Sequence, residues 1–106
     1  MGLFSKKKKI IPTDVEFDDI TFLKVNDSKQ IYQYAELIMH REPIVLNFDN
    51  TLISEANEVL IFLSGVLYAC DGEVVKIKDK IYLMAQKSDI LGPTLKKFID
   101  NYREEI

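Results

Sequence analysis

Read for the spacing of its apolar positions, the chain divides into a regular series of strands and helices. ITFLKV, Ile20 to Val25, is rich in strand formers. Asn26, Asp27 and Ser28 then offer N-cap oxygens, and Ile31, Tyr34, Ala35 and Ile38 recur at helical spacing up to about His40. Pro43 blocks continuation of that helix, and IVLNF, Ile44 to Phe48, predicts a short buried strand. Asp49, Asn50, Thr51 and Ser54 supply turn and cap chemistry before a second helix from about Glu55 to Cys70. Asp71-Gly72 ends it, with Gly72 expected in the left-handed C-cap conformation. Two alternating runs, Glu73 to Ile77 and Lys80 to Ala85, predict a hairpin around Lys78-Asp79. After Gly92-Pro93, Leu95, Phe98, Ile99 and Tyr102 lie on one stripe of a terminal amphipathic helix.

The order βαβαββα predicts an α/β (α+β) fold: a two-layer sandwich with two helices packed on a small mixed sheet, plus a C-terminal helix. The second helix is the unusual element. Between Val59 and Cys70 only Ser64 and Gly65 are not apolar, so the helix has no clear solvent face. This run is too short for a membrane span, which needs about 20 apolar residues. Burial on two sides follows, against its own sheet and against a second protein surface. Gly65 lowers helix propensity by about 1 kcal/mol relative to alanine. A close approach of another helix, or of the chain's own sheet, would offset that.

Charge divides the chain into a basic tip and an acidic body. Residues 1–9 hold Lys6, Lys7, Lys8 and Lys9 and no acid. The other ten of the 14 basic residues face all 17 acids, a formal charge of −7. An acidic body disfavours nucleic acid, which requires a basic stripe across the folded face. A basic tip suits an anionic membrane, where each lysine contributes roughly 1 kcal/mol. Leu3, Phe4, Ile10 and Ile11 gather on one side of a helix, so residues 1–11 read as a weakly amphipathic membrane-targeting tip or as a solvated basic tail. Residues 12–19, PTDVEFDD, read as an acidic linker before a domain over 20–106. The myristoylation pattern needs Ser or Thr at position 6, where this chain has Lys6. No secretory signal is evident, and Cys70 has no cysteine partner, so a reducing, cytoplasmic setting is expected.

Catalytic and cofactor chemistry has little support. IVLNFDNTL resembles the first motif of haloacid dehalogenase phosphatases, but Asn47 stands where the nucleophilic aspartate belongs and only Asp49 remains. A neutral amide cannot form an aspartyl-phosphate, so Asp49 reads as a turn residue. The four glycines lie in unrelated contexts and form no phosphate-binding loop. His40 is the single histidine and lies near a helix end, which implies no metal site. Cys70 reads as a small buried hydrophobe. No cofactor, metal or enzymatic activity is expected.

The segment Ile44 to Ala85 resembles the core of the SepF family of bacterial cell-division proteins. The match is carried by Phe62, Leu63, Ser64, Gly65, Tyr68, Ala69 and Gly72. The basic start, with Leu3, Phe4 and Lys6 to Lys9, is similar to the family's membrane tip, although the linker is short and the terminal helix more pronounced. The resemblance implies a non-enzymatic adaptor that self-associates, binds the C-terminal tail of FtsZ and helps tether the division ring at the inner face of the membrane during septum formation. It further implies Phe62, Ser64, Gly65 and Tyr68 for self-association, as a homodimer or higher polymer. Lys76, Tyr82 and Leu83 are implied for tail contact. A small cytosolic dimeric domain that touches neither membrane nor FtsZ is the alternative reading.

Overall fold

The computed structural model describes residues 9–104. Strands β1 (Thr21–Lys24), β2 (Ile44–Asn47), β3 (Gly72–Lys78) and β4 (Ile81–Gln86) form one sheet in the order β1-β2-β4-β3. β1 pairs with β2 in parallel, which requires a crossover, and α1 (Ile31–Met39) supplies it. The other pairings are antiparallel. Helix α2 (Ile53–Ala69) precedes the β3–β4 hairpin; a single turn, α3 (Lys87–Ile90), and then α4 (Pro93–Glu104) follow it. The expected element order is present, with α3 and a short 3-10 turn at Phe17–Asp19 as additions.

Strand alternation sends successive residues to opposite faces, and both faces are covered. On one, Ile44, Leu46 and Met84 meet Tyr34, Ala35 and Ile38 of α1 and Val59, Leu63 and Leu67 of α2. On the other, Val45, Leu83, Ala85 and Ile77 meet Leu95, Phe98 and Ile99 of α4. A central strand buried on both sides reads as an unbroken apolar run, which is the pattern of IVL in β2.

The caps differ from expectation. Ser28 does not cap α1; its amide and hydroxyl donate to Glu55 Oε1 of α2 at 2.9 and 3.2 Å, joining the two helix starts. Asp27 accepts the Lys29 amide in a local turn, and the N-caps of α1 and α2, Gln30 and Leu52, make no side-chain cap bond. Thr51 donates instead to the Val25 carbonyl. At the end of α2 the left-handed residue is Asp71 (φ 59°), not Gly72, which already begins β3. Gly72 is required for close packing: a Cβ there would sit 2.5 Å from Leu67 Cδ2 and 3.1 Å from the Ala85 carbonyl oxygen. Helix α1 ends in a Schellman motif, with Glu42 N–H donating to Leu37 O and Arg41 N–H to Ile38 O. Its left-handed residue is Arg41 (φ 63°).

Tyr34 connects the first core to pH. Burial raises its pKa above the usual phenol value, and the charge of Asp27 adds to the rise. Its hydroxyl donates to Gln30 Oε1 at 3.3 Å. A folded-state pKa above the unfolded one favours folding of the neutral phenol. That stability is fully present below the ordinary tyrosine pKa of about 10 and is lost as pH rises through the folded-state value. As pH rises above about 10 the denaturant midpoint is therefore expected to fall further for the native chain than for Tyr34→Phe. Parallel curves for the two proteins would contradict it.

Candidate functional site

Helix α2 buries Val59, Leu63 and Leu67 and turns a second apolar row away from the sheet. Ile61 and Tyr68 are 75% and 86% exposed, and Gly65 lies between them. A Cβ at Gly65 would meet nothing within 4 Å, so its own sheet does not account for the glycine. On the flank facing α1, Phe62 packs edge-on against the exposed ring of Tyr32, with centroids 5.6 Å apart. On the opposite flank the Ser64 hydroxyl donates to the Leu60 carbonyl of its own helix, at 2.7 Å. The structure thus gathers Phe62, Ser64, Gly65 and Tyr68 on one exposed helix surface.

Of the three residues implied for tail contact, two are neighbours. Lys76 of β3 pairs across the hairpin with Tyr82 of β4. Lys76 is exposed and makes a solvent-facing 3.8 Å ion pair with Asp79, a contact of little energetic weight. Tyr82 is half-buried, sets its ring edge-on to Phe48 at 5.7 Å, and lines a cleft of about 150 Å³ with Phe48, Ile53 and Leu60. Leu83 is a correction. Strand alternation points it to the opposite face, where it is wholly buried in the second core with α4 residues, so it offers no surface. The cleft residues at the start of α2 escaped the sequence reading because Ile53 and Leu60 look like ordinary core positions.

The proposed membrane residues Leu3, Phe4, Lys6, Lys7 and Lys8 lie outside the described residues; Lys9 is described and exposed. Among the described residues no helix is long and apolar enough to cross a membrane. The stretch expected as an acidic linker lies along the α3–α4 junction. Thr13 N–H donates to Ser88 O at 3.0 Å, and its hydroxyl donates to the buried Asp89 carboxylate. Asp14 accepts the Thr94 N–H at 3.2 Å, placing a carboxylate at the positive end of α4. Val15 reaches the second core, and Phe17 contacts Phe22 and Phe98 with ring centroids 6.0 Å from each.

The phosphatase-like segment has a plain structural role. Asn47 Oδ1 accepts the Asp49 amide at 2.8 Å, so the turn after β2 is made by the asparagine side chain, and Asp49 is exposed. His40 is exposed at the C-cap of α1, and Cys70 is half-buried at the C-cap of α2 rather than in the core. No group of three or more His, Cys, Asp or Glu side chains arranged to hold a metal occurs among the described residues.

Comparison with known proteins converges on one family. Residues 20–88 match the family model described as "Cell division protein SepF". Curated proteins of that description include one from Thermoanaerobacter sp. (strain X514), 29% identical over 84% of this chain and 66% of its own length. Another, from Lactobacillus helveticus, is 26% identical over 93% of this chain and 61% of its own. A third, from Caldanaerobacter subterraneus, is 32% identical over 60% and 48%. The chain spans less than two thirds of the length of these relatives. Since the match covers the sheet, both α1 and α2 and the hairpin that carries Lys76 and Tyr82, the chain belongs to the SepF family of bacterial cell-division proteins.

Proposed function

We propose that this protein is a non-enzymatic adaptor of the division ring, which self-associates through the outer face of α2, binds the FtsZ C-terminal tail and lies peripherally at the inner face of the cell membrane. The observation that carries the reading is the outward row Ile61, Gly65 and Tyr68, an apolar surface on a cell-division domain with an open glycine at its centre. Scattered apolar residues are normal on a surface, whereas a contiguous row on one helix marks a docking face. A facing helix laid across Gly65 would contact backbone directly.

Tail recognition is assigned to Lys76 and Tyr82. An FtsZ tail that offers an acidic and an apolar side chain would meet the Lys76 ammonium and the Tyr82–Phe48 pair with its small cleft. Half-buried tyrosines are strong contributors at interfaces because they combine area with a polar tip.

Calorimetric titration with a synthetic FtsZ C-terminal tail tests the assignment. Saturable binding is expected, weakened about tenfold by Tyr82→Ala and by less for the exposed Lys76→Ala, with circular dichroism confirming that both variants fold. Native affinity in both variants would remove the site from β3–β4. No binding by the folded native protein would leave a small dimeric domain without FtsZ contact.

A further inference from the structure

The corner where the basic tip joins the domain holds a cavity of about 320 Å³ lined by Lys9, Ile10, Arg41, Asp71, Lys87 and Ser88. Three cations from three separate parts of the chain converge there against a single carboxylate. Among the described residues none of the three cations takes part in an ion pair. We propose that this corner is a binding site for a phosphate group, and that the phosphate is the headgroup of an anionic membrane lipid. This inference rests on the membrane-associated reading above, but assigns the contact to the folded domain and not only to the tip.

The site is held in place by its surroundings. Arg41 occupies the left-handed position of a Schellman motif, where glycine would be free of the roughly 1 kcal/mol steric cost that a side chain bears. Its guanidinium donates to the buried Gln86 side chain at 3.4 Å, which aims it along the cavity wall. The backbone of Lys87 is held by its N–H, which donates to the Asp71 carbonyl at 3.0 Å. Lys9 lies four residues before Thr13, which is bonded to Ser88 and Asp89 and begins a strap, residues 13–19, along the α3–α4 junction. Arg41, whose guanidinium is already held, loses less conformational freedom on taking up an anion than an unattached side chain would.

Two features favour a lipid over a free phosphate. Ile10 lines the cavity while still 41% exposed, and the adjacent Ile11 is 74% exposed, so apolar area borders the cations as it does on surfaces that rest at a headgroup boundary. The four lysines of residues 6–9 also adjoin this corner in sequence, so both would meet the same leaflet.

The test uses the full chain and vesicles of phosphatidylglycerol mixed with phosphatidylcholine. Arg41→Asn with Lys87→Gln keeps a residue that tolerates the left-handed conformation and removes two charges; Lys6, Lys7 and Lys8 changed together to Gln form the separate tip variant. The corner variant is expected to bind about fivefold more weakly per cation lost, about twenty-five-fold in all, with the native fold retained by circular dichroism and a slightly lower unfolding temperature from loss of the Arg41 bond to the buried Gln86. Native vesicle affinity in the corner variant overturns the inference, and loss of affinity in the tip variant alone would then leave the membrane reading standing. If the native chain binds no vesicles, the membrane reading and the lipid assignment fail together. Amide shifts on titration with glycerol phosphate then decide the remainder. Shifts at Lys87 and Ser88 that vanish in the corner variant keep a phosphate site serving a soluble ligand, and their absence overturns it.

Discussion

Gly92→Ala is expected to release residues 13–19 from the domain and to destabilise the fold by about 3 kcal/mol, the upper end of overpacking costs. A Cβ at position 92 would sit 2.0 Å from the Thr13 carbonyl oxygen and 3.0 Å from its carbonyl carbon. Both are backbone atoms, so no rotamer change relieves the overlap and the strap itself must move. Moving it breaks the Thr13 bonds to Ser88 and Asp89, leaves Asp89 buried without that partner, and removes Asp14 from the start of α4. Denaturant titration would read the loss, and amide exchange would show the Thr13 N–H unprotected. A second background isolates the cause: in a chain lacking residues 1–19 the same substitution is expected to cost much less, because the two closest atoms are gone and only the Asp89 carbonyl oxygen, at 3.2 Å, remains. An equal cost in both backgrounds would mean that α4, not the strap, is what Gly92 accommodates.

Why this contact escaped the sequence follows from how patterns are read. Periodicity reports which residues face a common core, and it serves well for α1, α4 and the hairpin, whose apolar positions are where the spacing puts them. The strap has no period. Val15 is a single apolar residue among acids, Thr13 acts through its backbone and hydroxyl, and Gly92 beside Pro93 looks like a helix boundary. Its packing is set by an object distant in sequence. The same limit explains Leu83: alternation in β4 was visible, but which face of the strand lies beneath α4 depends on the docking of a helix from the end of the chain. Gly72 departs from expectation for a related reason. Asx residues tolerate positive φ, so Asp71 takes the turn and the glycine is left to satisfy the close approach of Leu67.

Gly65→Lys separates folding from assembly. Within one chain the site is open, so the substitution meets no neighbour, and replacing glycine inside a helix stabilises it by somewhat under 1 kcal/mol. The monomer is therefore expected to unfold at or slightly above the native temperature. Self-association has the opposite sign. A lysine between Ile61 and Tyr68 would hold a facing helix away from the backbone and place an ammonium in an apolar contact without a partner. An unpaired buried charge costs about 3 to 5 kcal/mol, which corresponds to assembly weakened by at least about 100-fold. Light scattering across a concentration series, beside a thermal melt, reads both effects in one preparation. Gly65→Ala gives the graded control: it adds the same helix stability with only a methyl group at the contact, and a small loss of assembly is expected from it. If Gly65→Lys leaves the oligomer unchanged, self-association uses another surface and the α2 row is free for a different partner. If it abolishes assembly while lowering the melting temperature, the folded chain itself depends on its partner copy, and the openness of Gly65 describes a surface that is covered in solution.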